Sequence, residues 1–406
     1  MSAVVAPAAN PAAAPVPVSG AVNAFAFDLL HQLAAAAPTA SSFISPLSIA
    51  QALAMLLNGA PDECVAATEL RRALHVDAAA EAPTNVAALN AGHRRLLDAL
   101  SRMCGAGVEL SIANSVWVRG ATNAAFTAAI GAAYSATASP LTTAQAINEW
   151  CAVQTRGKIT SIVDSIHPQT LAILVNAVYF KGKWKVPFKK EASVPDQPFT
   201  SLAGTTALVT MMHQRRDDFR YAETGSYQAI ELSYGTAAAG AGAAAAAPAS
   251  MVAHVLLPRA GIAMADFIRG LRVEEFSALA YGDGAGGLTK RAGDLLLPRF
   301  KIEAAYSLNG LLAALGVHAA FDSSAPSFTK ISASADPAFV SDVIHKTFVE
   351  CNEEGTEAAA VTAVVMKSRA RARPVERFAM CCDRPFVFSI SAHKTLLFIG
   401  VIDATV

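Results

Sequence analysis

Two hydrophobic periods alternate along this chain of 406 residues. Apolar positions three or four apart, the period of a helix face, predict helices over residues 22–33, 46–58, 69–74 and 87–100. Runs rich in β-branched and aromatic residues predict strands at 110–118, 172–182, 207–212, 227–234, 251–257, 295–303, 339–351 and 384–401. Helices come early and strands late, so the pattern predicts an α+β protein.

Composition narrows the domain organisation. Apolar residues make up 53% of the chain and charged residues 16%, which supplies a large core without help from metals or disulfides. Residues 1–20 form an uncharged Ala/Pro/Val tail that we expect to be disordered, followed by a single domain over 21–406. An Ala-rich stretch at 236–258 lacks the strongly apolar character of a membrane span and predicts a surface loop leading into a strand.

Charge and cysteine usage exclude several classes of function. The formal net charge is zero, which argues against nucleic acid as a partner. The six cysteines show no CxxC spacing and no neighbouring histidines, so neither a metal nor another cofactor is expected. No Lys or Arg precedes residue 71, so a secretory signal would lack its basic region. We therefore expect a cytoplasmic protein, with the extracellular space as the alternative.

Enzyme motifs are weak. Residues 282–287 match GxGxxG, but a helical segment precedes them and a strand follows, the reverse of the dinucleotide-binding arrangement. Histidines and serines occur without any spacing that would order them into a triad. The sequence does not predict an enzyme.

The most informative segment lies near the C-terminus. Residues 353–362 read Glu-Glu-Gly-Thr-Glu-Ala-Ala-Ala-Val-Thr. In an extended chain one face carries small or apolar side chains: Thr356, Ala358, Ala360, Thr362, Val364 and Met366. The basic stretch 367–373 follows, which a trypsin-like protease would cut. The pattern indicates a segment able to enter between two strands, joined to a bait; an exposed Glu/Ala helix before a solubilising basic loop is the alternative.

A set of short motifs runs in order through residues 22–405. They include Ser-Phe-Ile-Ser-Pro-Leu-Ser-Ile-Ala at 42–50, Ala-Asn-Ser-Val-Trp-Val at 113–118, Leu-Val-Asn-Ala-Val-Tyr-Phe-Lys-Gly-Lys-Trp at 174–184, Val-Ile-His-Lys at 343–346 and Asp-Arg-Pro-Phe at 383–386. Together with the segment at 353–362 they resemble the serpins, and the spacing of the bait resembles the plant serpins. The resemblance implies the serpin fold, of about three β-sheets and eight or nine helices, with an exposed reactive-centre loop at about 353–377.

The resemblance also implies particular site residues. It places a sheet-opening cluster under the centre of the main sheet, made of Ser45, Ser48, Asn176 and His345. Trp184 is assigned to the same set, near the top of that sheet, where the loop enters. The loop hinge is the segment of Glu354, Gly355, Thr356, Glu357, Ala358, Ala359 and Ala360. Taken alone, the polar residues also fit ordinary helix caps and satisfied buried groups.

The implied mechanism is suicide inhibition of a serine protease. The protease cuts the bait, and the cleaved loop inserts into the main sheet and traps the acyl-enzyme. In inhibitory serpins the scissile residue lies about fourteen positions past the hinge glycine, which indicates the bond Arg369–Ala370, with Arg371 as the alternate. Arginine fits the acidic specificity pocket of trypsin-like enzymes. We expect a monomer whose partners are serine proteases with Arg or Lys specificity, with no membrane contact.

Some segments depart from the family pattern. The chain is short between residues 134 and 148, where 139–143 shows no obvious strand, and again between 159 and 174. By the resemblance, both regions flank the helix that covers the main sheet and must yield during insertion. Two alternatives therefore stay open: a non-inhibitory serpin acting in carriage, storage or interaction, and an inhibitor of cysteine proteases.

Overall fold

The computed structural model describes residues 18–76, 85–105, 107–235, 251–282, 286–332, 338–356 and 376–404. Within these ranges the helices are α1 Ser19–Ala36, α2 Pro46–Gly59, α3 Val65–Ala73, α4 Val86–Met103, α5 Ala124–Tyr134, α6 Ala144–Gln154, α7 Met264–Gly270, α8 Val273–Tyr281 and α9 Asn309–Ala314. Short 3-10 turns lie at Lys190–Ala192 and Ala319–Phe321. The α+β class predicted from the sequence is confirmed.

Strands fill most of the rest of the described chain. They are β1 Ser42–Ile44, β2 Val108–Val118, β3 Thr137–Pro140, β4 Ala172–Lys183, β5 Val194–Thr200, β6 Thr206–Glu223, β7 Tyr227–Ser233, β8 Val252–Pro258, β9 Thr289–Pro298, β10 Phe300–Ser307, β11 Asp342–Asn352, β12 Gly355–Thr356, β13 Phe378–Cys381, β14 Phe386–Ala392 and β15 Thr395–Ile402. The predicted strand over 295–303 is in fact two, β9 and β10, because the chain turns at Arg299.

The described strands form two hydrogen-bonded sheets rather than the expected three. One has six strands in the order β10-β11-β12-β4-β2-β3. The other has nine, in the order β1-β15-β14-β8-β7-β6-β9-β13, with β5 added on β6. The long strand β6 explains the merger: its register with β9 shifts between Arg216 and Phe219. Such an irregularity bends a strand, so one strand serves two layers.

A strand occupies the segment where the sequence showed none. β3 pairs in parallel with β2, from Ser115 opposite Thr137 to Val118 opposite Pro140. Its residues are small, polar or proline and lie at the sheet edge, partly exposed. Without an apolar alternation the strand left no periodic signal, and its backbone pairing alone defines it. The expectation that residues 139–143 contain no strand was therefore wrong for 139 and 140.

Helix α2 lies between the sheets and is almost wholly buried, as its apolar run predicted. It contacts β2 and β4 of one sheet and β15 of the other. Its first turn therefore lies directly beneath the middle of the six-stranded sheet. Phe43, just before it, stacks on Phe398 with ring centroids 5.5 Å apart. The apolar core thus fixes α2 against the sheet that the candidate site occupies.

The N-terminal boundary of the domain differs slightly from the expected one. Helix α1 begins at Ser19, two residues inside the segment assigned to the tail. The Ser19 and Thr395 hydroxyls lie 2.6 Å apart, and Asn23 Nδ2 donates to the Lys394 carbonyl at 2.8 Å. These contacts hold the start of α1 on the β14–β15 turn. The six cysteines are all free thiols. No helix among the described residues is long and apolar enough to cross a membrane.

Candidate functional site

The site is built where two central strands of the six-stranded sheet part. Strands β4 and β11 run in parallel and pair from Ile173 opposite Asp342 to Tyr179 opposite Phe348. Beyond that point β12 lies between them. It pairs antiparallel with both, so Gly355 is opposite Lys183 on one side and Asn352 on the other. The start of the predicted hinge is therefore already a strand of this sheet.

Gly355 passes so close to β4 that no larger residue fits. Its φ is +150°, a backbone conformation that side-chain-bearing residues rarely adopt. A Cβ atom built there would lie 2.0 Å from the Gly182 carbonyl oxygen and 2.6 Å from the Lys183 Cα. Both neighbours are backbone atoms, which cannot turn aside. The sequence analysis named Gly355 as a hinge residue, and the structure shows the close approach that requires glycine there.

Thr356 is fully buried beneath the sheet. Its hydroxyl lies 2.8 Å from the Tyr234 hydroxyl, within hydrogen-bonding distance. The Tyr234 ring stacks on Trp184 with centroids 4.4 Å apart. Burial raises the pKa of Tyr234 far above its ordinary value, so the phenol remains neutral and able to share this hydrogen bond. The pocket around Thr356 is thus tailored to a small, uncharged side chain.

Trp184 belongs to the hinge and not to the central cluster with which the sequence analysis grouped it. Its indole Nε1 donates to the Asn352 carbonyl at 3.0 Å, and its backbone N–H donates to the Glu354 carbonyl at 2.8 Å. It therefore holds both ends of the turn between β11 and β12. Trp184 directly follows β4, at the end of the sheet where the resemblance put the entry of the loop. Only its grouping with the central cluster therefore changes.

Two carboxylates in the turn between β11 and β12 are paired with cations. Glu353 is 3% exposed and accepts hydrogen bonds from Arg299 Nε at 2.9 and 3.0 Å and from the Ser193 hydroxyl at 2.6 Å. Burial opposes the charge of Glu353, but these hydrogen bonds outweigh it, so its pKa lies below the ordinary value. Lys190 Nζ lies 2.8 Å from Glu354 Oε1, and this contact raises the lysine pKa. The turn that leads into the hinge is therefore charged, and both of its carboxylates are paired with cations.

The structure brings Ser45, Ser48, Asn176 and His345 together under the sheet. Asn176 of β4 donates through Nδ2 to the Ser48 hydroxyl and accepts through Oδ1 from His345 Nδ1. The backbone N–H of Ser45 donates to His345 Nε2 at 3.1 Å. His345 and Asn176 are also direct neighbours across the parallel β4–β11 pair. A single side-chain contact therefore spans the two strands between which β12 begins.

Two further members of this cluster were not predicted. Asn114 of β2 accepts from Asn176 Nδ2 and donates to Gln51 of α2 at 3.2 Å. Both residues are buried. Asn114 lies within the motif at 113–118, and an asparagine inside an apolar strand was the available signal. Gln51 lies one turn after Ser48 on the buried helix and carried a similar signal.

His345 is held in its neutral form. It donates from Nδ1 and accepts at Nε2, a pattern that only the neutral ring provides. Complete burial lowers the pKa of His345 to about 3. Protonation would place a second N–H against the Ser45 N–H and break that hydrogen bond. The hydrogen bond that ties His345 to the start of α2 is therefore kept near neutrality and lost when acid protonates the ring.

The remaining predicted site residues lie outside the described residues. These are the hinge positions Glu357, Ala358, Ala359 and Ala360, and the bait positions Arg369, Ala370 and Arg371. Their roles stay predictions. The described hinge residues Glu354, Gly355 and Thr356 supply the position and direction from which that segment continues.

Replacing Gly355 by alanine tests the close approach of the hinge to β4. We expect Gly355→Ala to lower the free energy of unfolding by about 1–3 kcal/mol, because the methyl group overlaps the Gly182 carbonyl. Urea unfolding measures the change. Gly310→Ala in α9 is the matched control, since nothing lies within 4 Å of the added methyl group there. A Gly355→Ala protein as stable as the control would contradict the geometry.

Acid should reduce the contribution that neutral His345 makes to the free energy of unfolding. The unfolded state binds a proton near pH 6.5 and the native state only near pH 3, so stability is lost as pH falls through this range. The loss from this group is at most about 1.4 kcal/mol per pH unit. The difference in unfolding free energy between the native protein and His345→Asn should shrink from about pH 7 to pH 5. His318→Asn, at an exposed ring, is the control; a pH-independent difference for His345→Asn would refute the assignment.

Comparison with known proteins agrees with this geometry. A family model described as "Serpin (serine protease inhibitor)" matches residues 20–404. A serpin-like protein of Thermococcus kodakarensis is 33% identical over 396 residues, covering 95% of this chain and 85% of its own. Leukocyte elastase inhibitor of Sus scrofa is 34% identical over 401 residues, covering 94% and 98%.

Solved structures share the fold. Tengpin, a thermophilic serpin in its native state, superposes with a TM-score of 0.77 at 26% identity, covering 94% of this chain and 92% of its own. Human thyroxine-binding globulin complexed with its hormone gives a TM-score of 0.80 at 24% identity, covering 95% and 98%, which shows the fold alone. The relatives named here are archaeal and animal, so the particular likeness to plant serpins is not supported. The family match over nearly the whole domain, with the hinge strand in place, shows that the chain belongs to the serpin family.

Proposed function

We propose that this protein is a suicide inhibitor of trypsin-like serine proteases. The observation that carries the proposal is β12, which occupies the first position of an added strand between β11 and β4. A residue with a bulky or charged side chain could not occupy the position of Gly355 or of Thr356. The family relationship supports a protease-inhibitor role, and the basic bait at 367–373 supports the trypsin-like preference.

The register of β12 indicates where each loop residue would go. Gly355 opposite Lys183 and Thr356 opposite Gly182 define an antiparallel register with β4. Extended by six residues, it sets Thr362 opposite Asn176. The register with β11, Thr356 opposite Cys351, sets the same Thr362 opposite His345. A loop that inserted fully would therefore bring a threonine hydroxyl between the two residues whose contact it breaks.

The same register accounts for the small side chains of the hinge. Ala358 would enter between Phe180 of β4 and Val349 of β11, both buried beneath the sheet. Ala359 would enter on the outer face between Tyr179 and Phe348, which α6 already covers. Flanks of this size leave room for a methyl group. Insertion then gains two ladders of backbone hydrogen bonds and buries apolar surface, which supplies the driving force.

The chemistry belongs to the protease. Its serine hydroxyl attacks the carbonyl carbon of Arg369, the Arg369–Ala370 bond breaks, and the amine of Ala370 leaves with a proton. The ester that remains links Arg369 to the enzyme. Strand addition is the mode by which serpin loops enter their sheet. It would carry the linked protease from the top of the sheet toward its opposite end before water reaches the ester.

Arg369 is the proposed bait because its distance from Gly355 fits the family spacing. Arg371 is the alternate, since alanine follows it as well. Arg373 precedes Pro374, whose ring disfavours cleavage at that bond. The paired guanidinium donors of arginine suit the carboxylate of an acidic specificity pocket.

The decisive experiment mixes the purified protein with trypsin and analyses the products by denaturing electrophoresis and mass spectrometry. We expect a denaturation-resistant band at the summed mass and a released fragment beginning with Ala370. A parallel reaction uses papain in place of trypsin. An Arg369→Ala variant is the control for the bait residue. Cleavage without a stable band would support the non-inhibitory alternative, and a stable band with papain alone would support the cysteine-protease alternative.

A charged residue at Thr356 should convert the inhibitor into a substrate. Thr356→Arg would bury a guanidinium against Tyr234 with no carboxylate partner, so insertion past this point becomes unfavourable. We expect trypsin to cleave the variant while the trapped fraction falls at least about tenfold. Thr356→Ser keeps the hydroxyl and serves as the matched control. A Thr356→Arg variant that still formed stable complexes would eliminate the hinge assignment.

The inhibitor would work in a reducing compartment. Six free thiols, several of them buried, suit a reducing compartment such as the cytoplasm. The protein would act as a monomer on a protease that reaches its exposed reactive-centre loop. The carrier alternative gains nothing from the fold shared with thyroxine-binding globulin, because many functions share one fold.

A further inference from the structure

A row of polar side chains crosses the nine-stranded sheet. Glu231 of β7 lies directly opposite His254 of β8, and His254 lies directly opposite Ser389 of β14. Opposed residues in an antiparallel sheet point to the same face, so the three side chains form a line across three strands. Arg220 of β6 lies opposite Glu231 and extends the line to the protein surface.

Helix α8 covers this row. The His254 ring meets Phe276 and Tyr281 of α8 edge-on, with centroids 5.7 and 6.2 Å away. Ser391, two residues beyond Ser389 on β14, shares its face, and the Tyr281 hydroxyl faces Ser391. His254, Ser389 and Ser391 are all buried. The row is therefore enclosed between the helix and the sheet.

Most of the enclosed polar atoms lack protein partners. Both ring nitrogens of His254 and the hydroxyl of Ser389 make no hydrogen bond to protein atoms of the described residues, and the hydroxyls of Tyr281 and Ser391 have only each other. The closest charged group, Glu231 Oε2, lies 3.6 Å from His254 Nε2, beyond hydrogen-bonding distance. A buried polar atom with no partner is strongly unfavourable. Several such atoms in one place indicate a shared partner.

We propose that this row is a buried water-binding site, in which ordered water joins His254, Ser389, Ser391 and Tyr281. Water fits because it donates and accepts at once and needs two to four polar partners, which the row supplies. An ionic ligand is not indicated, since the Glu231 carboxylate already faces Arg220 at 3.5 Å. Helix α8 is then held on the sheet through water as well as through the buried side chains of Phe276 and Leu279.

The substitution Ser389→Ala separates a hydrated row from a dry one. If water is bound, the variant removes one of its partners, and the melting temperature should fall by about one to three degrees. If the row is dry, the variant removes an unsatisfied hydroxyl, and the melting temperature should rise. An unchanged or raised melting temperature would overturn the proposal. Ser391→Ala should repeat the result at the neighbouring position.

Two further measurements fix the interpretation. Ser19→Ala removes a direct protein hydrogen bond to Thr395 and must lower the melting temperature in either case, so it calibrates the response to losing one hydroxyl. A crystal structure of the full chain should show a water molecule within hydrogen-bonding distance of His254 and of Ser389 or Ser391. Density that resolves other buried waters but none in this row would refute the site directly.

Discussion

The contact between Asn176 and His345 is the constraint on which the rest of the structure depends. It joins the two strands between which β12 begins, and it is a hydrogen bond between two fully buried side chains. Close-packed apolar side chains resist separation because every ångström of gap loses contacts. A hydrogen bond can instead be exchanged for another of equal quality. In the proposed mechanism, polar groups at this position would let the sheet remain closed at rest and open without leaving an unsatisfied group behind.

The surroundings of this contact are arranged to keep it intact at rest. Helix α2 presents Ser45 and Ser48 to it from below, and Asn114 supports Asn176 from the neighbouring strand. Farther up, Arg299 and Lys190 hold the carboxylates of the turn, while Trp184 bonds to its backbone. Polar contacts thus join β4 and β11 at the middle of the sheet, and ion pairs hold the turn between β11 and β12 at its end.

Much of this could be predicted from the sequence, and the failures have physical causes. The buried helix α2 and the strands β4 and β11 carry long apolar runs, so their periods revealed them. Strand β3 is defined by backbone pairing alone and gave no signal. The number of sheets was missed because it depends on a bend within β6 that no side-chain pattern marks. The grouping of Trp184 with the central cluster was wrong because its partners, Asn352 and Glu354, are distant in sequence and contribute only carbonyl groups.

The two paired residues of β12 also bear on the timing of insertion. Starting a new strand is ordinarily the slow part of sheet growth, because the chain must be ordered before any ladder forms. In the proposed mechanism that nucleus would exist before any bond is cut, and growth after cleavage would be propagation alone, one residue pair at a time. The fraction of protease that is trapped would then depend on whether strand addition is completed before water hydrolyses the ester. Gly355 would bear on this rate because it allows the first residue pair with β4 to form before cleavage.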